Sequence, residues 1–375
     1  MPFLSLTLYN FRNLSSKGID LASHEVFFVG ENGQGKSNLL ESLYYSAYGS
    51  SFRTHNESEL IKRNETEMSV RSLFREESGQ THTTLIAVRN KSKKIEKDGK
   101  YIHDRKELIN TMPCVLYSHE DLEFVTGSPE RRRFFIDQSL SMYDASYIDV
   151  SRNYKKILRN KNICLKEKQY SLLDAYDMQL AQSGLEIQKK RKDAVFGFNQ
   201  IFGKLYGQIS GIQDISIRYV PSWKHVQQAE SNDFSYSDKN MPSESEVIDY
   251  LKKMRGQEQA AEISLSGPHR DRIVFEKNGV SFVPTSSTGQ RRLLALVLRT
   301  GQAVFYSQIT GRKPVLLMDD VLLELDPEKR QKFTALLPEY DQLFCTFLTG
   351  EPYKNYKKQG TAVYSIKNGE WEKFE

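Results

Sequence analysis

Eight consecutive residues, Gly30-Glu31-Asn32-Gly33-Gln34-Gly35-Lys36-Ser37, fit the phosphate-loop pattern G-x-x-x-x-G-K-[ST] at every fixed position. Glycines at these places let the backbone curl and aim its amides inward at an anion. Lys36 supplies a point charge for the β/γ oxygens of a nucleotide, and Ser37 offers a hydroxyl to Mg²⁺. About 280 residues later the apolar run Pro314-Val315-Leu316-Leu317-Met318 ends in Asp319-Asp320. A hydrophobic strand ending in two acids suits the other half of that chemistry. Asp319 is placed to hold Mg²⁺ through water, because Mg²⁺ keeps several of its waters. Asp320 is placed to orient or deprotonate an attacking water. ATP and Mg²⁺ are the expected cofactors.

Those residues need elements to position them. Val26-Phe27-Phe28-Val29 reads as a buried strand feeding the loop, and the stretch Leu39 to Tyr44 reads as the helix after it, whose positive end adds to anion binding. Leu4, Leu6 and Leu8 mark one face of a first strand, and Asp98-Gly99 signals a hairpin turn. From about residue 138 the chain changes character, with few strand-like runs and apolar residues at helical spacing, as in Tyr154, Ile157, Leu158 and Leu165. The polar piece Gln227 to Glu246 reads as a loop, and from about Ile263 mixed strands and helices return. The expected architecture is α/β: one discontinuous lobe, residues 1–137 and 262–375, interrupted by a mainly helical insertion at 138–261.

Ser287-Thr288-Gly289-Gln290 precedes an amphipathic stretch, Leu293 to Gln302. In isolation such a tetrapeptide is a helix cap. Lying between a phosphate loop and an acid-tipped strand, it resembles the signature turn of ABC ATPases. Further stretches resemble the RecF family within the SMC/Rad50-like ABC group: Asn10-Phe11-Arg12-Asn13, Ser51-Phe52-Arg53-Thr54, Gly127 to Asp137, Ser266-Gly267-Pro268-His269-Arg270-Asp271, and Asp319 to Asp326. The resemblance runs in order over nearly the whole chain. It implies an ABC-type ATPase head that dimerises on ATP, with Ser287, Thr288, Gly289 and Gln290 meeting the nucleotide of a second copy. It also implies a weak, DNA-stimulated ATPase acting in recombinational repair and replication restart at junctions of single- and double-stranded DNA. RecR and RecO, and indirectly RecA, would be its partners. Arg12 serves either as a phosphate contact or as a surface salt bridge.

Several positions depart from the family pattern: His119, Thr288, Arg272 and Leu323. No histidine follows His269, so Thr346 or Thr349 stands in for the switch histidine of other ABC proteins, as threonine does in this family. With aspartate at 320, this implies slow hydrolysis. Alternatives are an SMC- or Rad50-like structural head and the nucleotide-binding subunit of a transporter. The first needs hundreds of heptad residues that 138–261 does not supply, and the Asn10–Asn13 and Gly267–Asp271 stretches argue against the second.

The chain of 375 residues carries 53 basic and 48 acidic side chains, a mild excess that permits a nucleic-acid partner without demanding one. The excess is local: between Arg152 and Lys192 there are 11 Lys/Arg against 4 Asp/Glu. Lys155, Lys156, Arg159 and Lys161 form one group and Lys189-Lys190-Arg191-Lys192 another, each either a phosphate contact or a solvated helical face. Tyr154 and Tyr170 either stack on bases or pack. Three dispersed cysteines without a Cys-x-x-Cys fit neither a disulfide framework nor a zinc site. A mean hydropathy of −0.58 and the lack of any apolar run of about 18 residues leave no membrane span, and the N-terminus has no export-signal pattern. A cytoplasmic protein is expected.

Overall fold

The chain folds as two units, one of residues 1–121 with 302–375 and one of residues 122–301. The structure, a computed structural model, describes residues 3–76, 78–90, 92–109, 111–223 and 241–374.

The first unit is built on two six-stranded sheets. Its antiparallel sheet contains β1 (Phe3–Tyr9), β2 (Gly18–Asp20), β4 (Glu67–Arg75), β5 (Thr81–Arg89), β6 (Ser92–Lys97) and β7 (Lys100–Tyr101), in the order β2-β1-β4-β5-β6-β7. The Asp98-Gly99 turn joins β6 to β7 with both residues at positive φ, as a tight hairpin requires. On β1 a register shift between Phe3 and Ser5 alters the expected alternation. Phe3, Leu6 and Leu8 enter the core, whereas Leu4 is only half-buried.

The second sheet of this unit runs β15 (Glu370–Lys373), β14 (Ala362–Lys367), β3 (Glu25–Val29), β13 (Gln342–Phe347), β12 (Val315–Met318) and β8 (Cys114–Tyr117). All neighbours are parallel except the β14–β15 hairpin. Every residue of β3, β13, β12 and β8 is buried, which explains runs that read as continuously apolar rather than alternating. Helix α1 (Lys36–Tyr48) packs Leu39, Leu40 and Leu43 into the same core. The short α2 (Lys106–Ile109) and α9 (Pro327–Ala335) complete the unit's α-helices among the described residues, together with the end of α8 (Thr288–Thr310).

The second unit is mainly helical. It holds α3 (Glu123–Thr126), α4 (Pro129–Ser141), α5 (Ala145–Lys166), the 38-residue α6 (Leu173–Ser210), α7 (Glu244–Ala261) and the start of α8 (Thr288–Thr310). A three-stranded antiparallel sheet accompanies them, in the order β11 (Val280–Ser281), β10 (Arg272–Lys277), β9 (Ile215–Val220). This unit starts before residue 138 and ends after residue 261, beyond the segment marked by composition. Packing explains why: Phe135 of α4 meets Phe198 of α6 edge-on, and β10 pairs along its length with β9. Within the Ser266–Asp271 stretch, Pro268–Arg270 forms a 3-10 turn ahead of β10, with Gly267 before it at φ 130 and Pro268 unable to donate to a ladder. Of the expected polar loop 227–246, residues up to 240 lie outside the described ones. Beyond them Ser243 and Glu246 form a capping box that opens α7.

Candidate nucleotide site

Strand order places the chemistry. β3 delivers the phosphate loop, β12 delivers the two acids, and β13 lies between them. All three are parallel, so their C-terminal ends open on one edge, the usual ligand edge of such a sheet. The loop turns through Gly33 at φ 77 and Gly35 at φ 117, and α1 begins at Lys36. Lys36 is 4% exposed, and its ammonium donates to the carbonyls of Gly30 at 2.9 Å and Glu31 at 3.3 Å. It lies 3.9 Å from an Asp320 oxygen. Glu31, Asn32 and Gly33 face solvent.

Ser37 and Asp319, expected to share a metal, are together: the Ser37 hydroxyl donates to Asp319 Oδ1 at 2.8 Å. Burial pushes the Asp319 carboxyl above the ordinary carboxylate range, with Asp320 adding to the push and the Ser37 hydroxyl opposing it. Asp320 adopts a left-handed backbone, φ 52, uncommon for a non-glycine residue. Thr346, at the end of β13, holds it there. Its hydroxyl accepts the Asp320 N–H at 2.8 Å and donates to Asp320 Oδ1 at 2.8 Å. It also lies 3.2 Å from Asp319 Oδ1. Of the two threonines considered from sequence, Thr346 is therefore the one beside the acids. Two hard oxygen donors with no larger His/Cys/Asp/Glu cage among the described residues suit Mg²⁺, which takes few protein ligands and completes its shell with phosphate and water.

Arg12 is occupied. Its guanidinium makes a two-point pair with Glu41, Nε to Oε2 at 2.9 Å and Nη2 to Oε1 at 2.8 Å, and Nη1 donates to the Glu59 carbonyl. Glu41 is fully buried on α1 and also accepts from Ser51 at 2.5 Å and Arg53 at 3.4 Å. Of its two readings, the salt bridge is what the structure contains. Glu41 was not singled out from sequence; its signal is an acid on the inward face of an apolar helix.

Two supports of the loop were also missed. Asn13 donates to the Gly33 carbonyl at 3.4 Å and accepts from Asn38 at 2.7 Å. From the far end of the chain, the β14–β15 turn Asn368-Gly369 pins Gln34. The Asn368 N–H donates to Gln34 Oε1 at 2.6 Å and the Gly369 N–H to the Gln34 carbonyl at 2.9 Å. A Cβ on Gly369 would come 2.0 Å from the Asn13 carbonyl oxygen, and one on Gly30 would come 2.4 Å from the Ile366 carbonyl oxygen. Asn-Gly between two strands signals a hairpin, but nothing local says what the hairpin touches.

In the second unit the Ser287–Gln290 turn caps α8. The Ser287 N–H donates to Gln290 Oε1 at 2.7 Å and the Gln290 N–H donates to Ser287 Oγ at 3.2 Å, a reciprocal capping box. Ser287, Thr288 and Gly289 are exposed, and a Cβ on Gly289 would meet nothing within 4 Å. The side chain of Leu323 lies outside the described residues.

The basic clusters divide. Lys161 and Arg191 are 1% and 5% exposed and locked in ion pairs, so neither is a phosphate contact. Tyr154 is buried with its hydroxyl 2.7 Å from His269 Nδ1, which makes it a packing residue, while Tyr170 is exposed. Burial also lowers the His269 pKa to about 4.

A phosphate loop, an acid-tipped strand two places away in a parallel sheet and a capped signature helix define a P-loop ATPase head of the ABC class. The sequence matches the model of the RecF/RecN/SMC N-terminal domain family over residues 3–371. It is 49% identical over 366 residues to the DNA replication and repair protein RecF of Treponema pallidum, covering 97% of this chain and 99% of that one. Against the RecF of Clostridium perfringens it is 31% identical over 373 residues, covering 98% and 99%. A solved structure of a recombination mediator protein RecF bound to ATP superimposes with a TM-score of 0.88 at 28% identity, covering 100% of this chain and 98% of that one. An Smc head with a TM-score of 0.57 at 14% identity shares the fold. The chain belongs to the RecF family.

Proposed function

We propose that this chain, an ATP-binding protein of DNA replication and repair, is a clamp that two copies close on DNA by sharing ATP. The observation that carries the proposal is an asymmetry: one chain contains a finished phosphate and acid site, whereas Ser287, Thr288 and Gly289 of its signature turn are exposed and the turn is held mainly by its own capping bonds, with the Tyr206 hydroxyl on the Gln290 carbonyl as a contact from outside it. Lys36 would exchange its Gly30 and Glu31 carbonyls for the β/γ oxygens of ATP. Asp320, fixed by Thr346, would orient the water that attacks the γ-phosphorus as the bond to the bridging oxygen breaks and ADP leaves. Ser37 and Asp319 would hold Mg²⁺, which neutralises charge on the phosphates when bound. Ser287 and Gly289 of the second copy, at the positive end of α8, would meet the γ-phosphate. Aspartate rather than glutamate at 320 supports slow turnover, suited to timing the clamp.

The related RecF–ATP structure is described as belonging to the RecFOR pathway, which supports DNA and the RecO and RecR proteins as partners. Among the described residues no helix is long and apolar enough to cross a membrane.

Sedimentation with ATP, ADP or no nucleotide, with and without DNA, tests this reading. ATP should give a dimer that binds DNA, with log K falling against log salt at a slope near −5 if about six phosphates are neutralised. Ser287→Arg should bind ATP as a monomer and fail to dimerise. Equal DNA affinity in all three nucleotide states would end the clamp reading.

A further inference from the structure

The 11 Lys and Arg residues between positions 152 and 192 meet different fates in the fold. The Lys161 ammonium sits 2.8 Å from Asp177 and 2.6 Å from Glu258, all three 1% exposed. Arg191 is held by Asp137 and Asp271, each within 3.0 Å. Lys190 lies 2.6 Å from Asp144. These cations are neutralised, and two of them tie helices together from inside the unit.

Lys155, Arg159 and Lys166 are different. All three are exposed on α5, and among the described residues none has an ion-pair partner. Their spacings of four and eleven residues put them within about 40° of one another around the helix axis, along about 16 Å of its length. A hollow of about 330 Å³ follows this stripe, lined among the described residues by Lys155, Leu158, Arg159, Asn162, Ile163 and Lys166, with no acidic side chain. A solvated helix face ordinarily alternates charges, because like charges four apart repel. Here Lys155 and Arg159 stand four apart, an arrangement that an anion relieves.

We propose that this stripe seats one strand of the sugar-phosphate backbone of DNA. On one strand a phosphate recurs about every 3.4 Å of axis, so about 16 Å passes some five phosphates, and three cations neutralise about three. Nothing in the stripe reads bases, so the contact adds affinity without sequence preference. The proposal rests on the ATP-dependent DNA binding argued above, and of the two basic groups it selects the one on α5.

The test uses the full chain with a slowly hydrolysed ATP analogue and a fluorescent duplex bearing a single-stranded end. Affinity is measured by anisotropy between about 50 and about 200 mM salt. In the variant Lys155→Ala/Arg159→Ala/Lys166→Ala, the slope of log K against log salt should become shallower by about 2 to 3. Affinity should fall most at low salt, and ATP-driven dimerisation without DNA should be unchanged. Restoring charge with Lys155→Arg/Arg159→Lys/Lys166→Arg should restore the slope, which a merely structural role would not predict. If the wild type binds DNA and the alanine variant keeps its slope, the stripe is overturned alone. If the wild type shows no ATP-dependent DNA binding, the clamp reading falls and the stripe with it.

Discussion

The phosphate loop and the Ser287–Gln290 turn both stand at helix N-termini, the kind of place where free amides favour an anion, yet they are held differently. The loop is gripped by Asn13 on one side and by the Asn368-Gly369 turn on the other. Its glycines are demanded by its own chain, Gly33 and Gly35 by their φ values and Gly30 by the Ile366 carbonyl. The signature turn is held by its own capping bonds and by the Tyr206 hydroxyl on the Gln290 carbonyl, and Gly289 has neither a positive φ nor a neighbour to explain it. The difference separates a site whose glycines folding demands from a turn whose glycine it does not.

That contrast can be broken at several points. Lys36→Met removes the buried ammonium that now donates to the Gly30 and Glu31 carbonyls. ATP affinity should fall at least ~100-fold, with dimerisation lost and the monomer still folded by circular dichroism; truncating one partner of such a charge pair costs about 2–5 kcal/mol. Retained ATP-driven dimerisation would remove the loop from the mechanism. Asp320→Asn keeps size and loses basicity, so single-turnover hydrolysis should slow by on the order of 10²-fold while ATP still closes the dimer. Gly369→Ala tests the grip on the loop. A left-handed φ of 77 strains any L side chain by about 1–3 kcal/mol, and here the added carbon also meets the Asn13 carbonyl. ATP affinity should drop about tenfold or more, read by calorimetry, and an unchanged value would show that the hairpin does not support the loop.

Two smaller effects sharpen the comparison. Thr346→Val deletes the hydroxyl that orients Asp320, so turnover should fall about tenfold with ATP affinity unchanged, a split that loose folding would not produce. Gly289→Ala should leave the monomer's thermal stability within about 0.5 kcal/mol, as at other open surface positions, yet weaken closure of the dimer. If it destabilised the monomer instead, the glycine would be serving its own chain.

What was legible in sequence follows the same division. The phosphate loop and the Asp319-Asp320 strand are contiguous, and each carries its chemistry within a few residues. The order β14-β3-β13-β12 that brings them together does not, because parallel strands pair across long connections. Lys161 and Arg191 read as part of basic clusters, since their acids lie elsewhere: Asp137 is 54 positions from Arg191 and Asp271 is 80. Glu41 looked like one more helical acid until Arg12, 29 positions away, closed on it. On β1 the hydrophobic alternation was visible, but the register shift that swapped Leu4 for Phe3 arises in pairing with β4.

The hairpin behind the loop also bears on how the protein is made. Gln34 and Asn368 are 334 positions apart. At about 5–20 residues per second, a ribosome needs on the order of half a minute to pass from one to the other. Through that interval the nascent chain already carries Lys36 and every glycine of the loop. Asp319 and Thr346 arrive only late in it, and the turn that pins Gln34 comes last. The contact that pins Gln34 therefore forms only after residue 369 has emerged, long after the loop itself has been made.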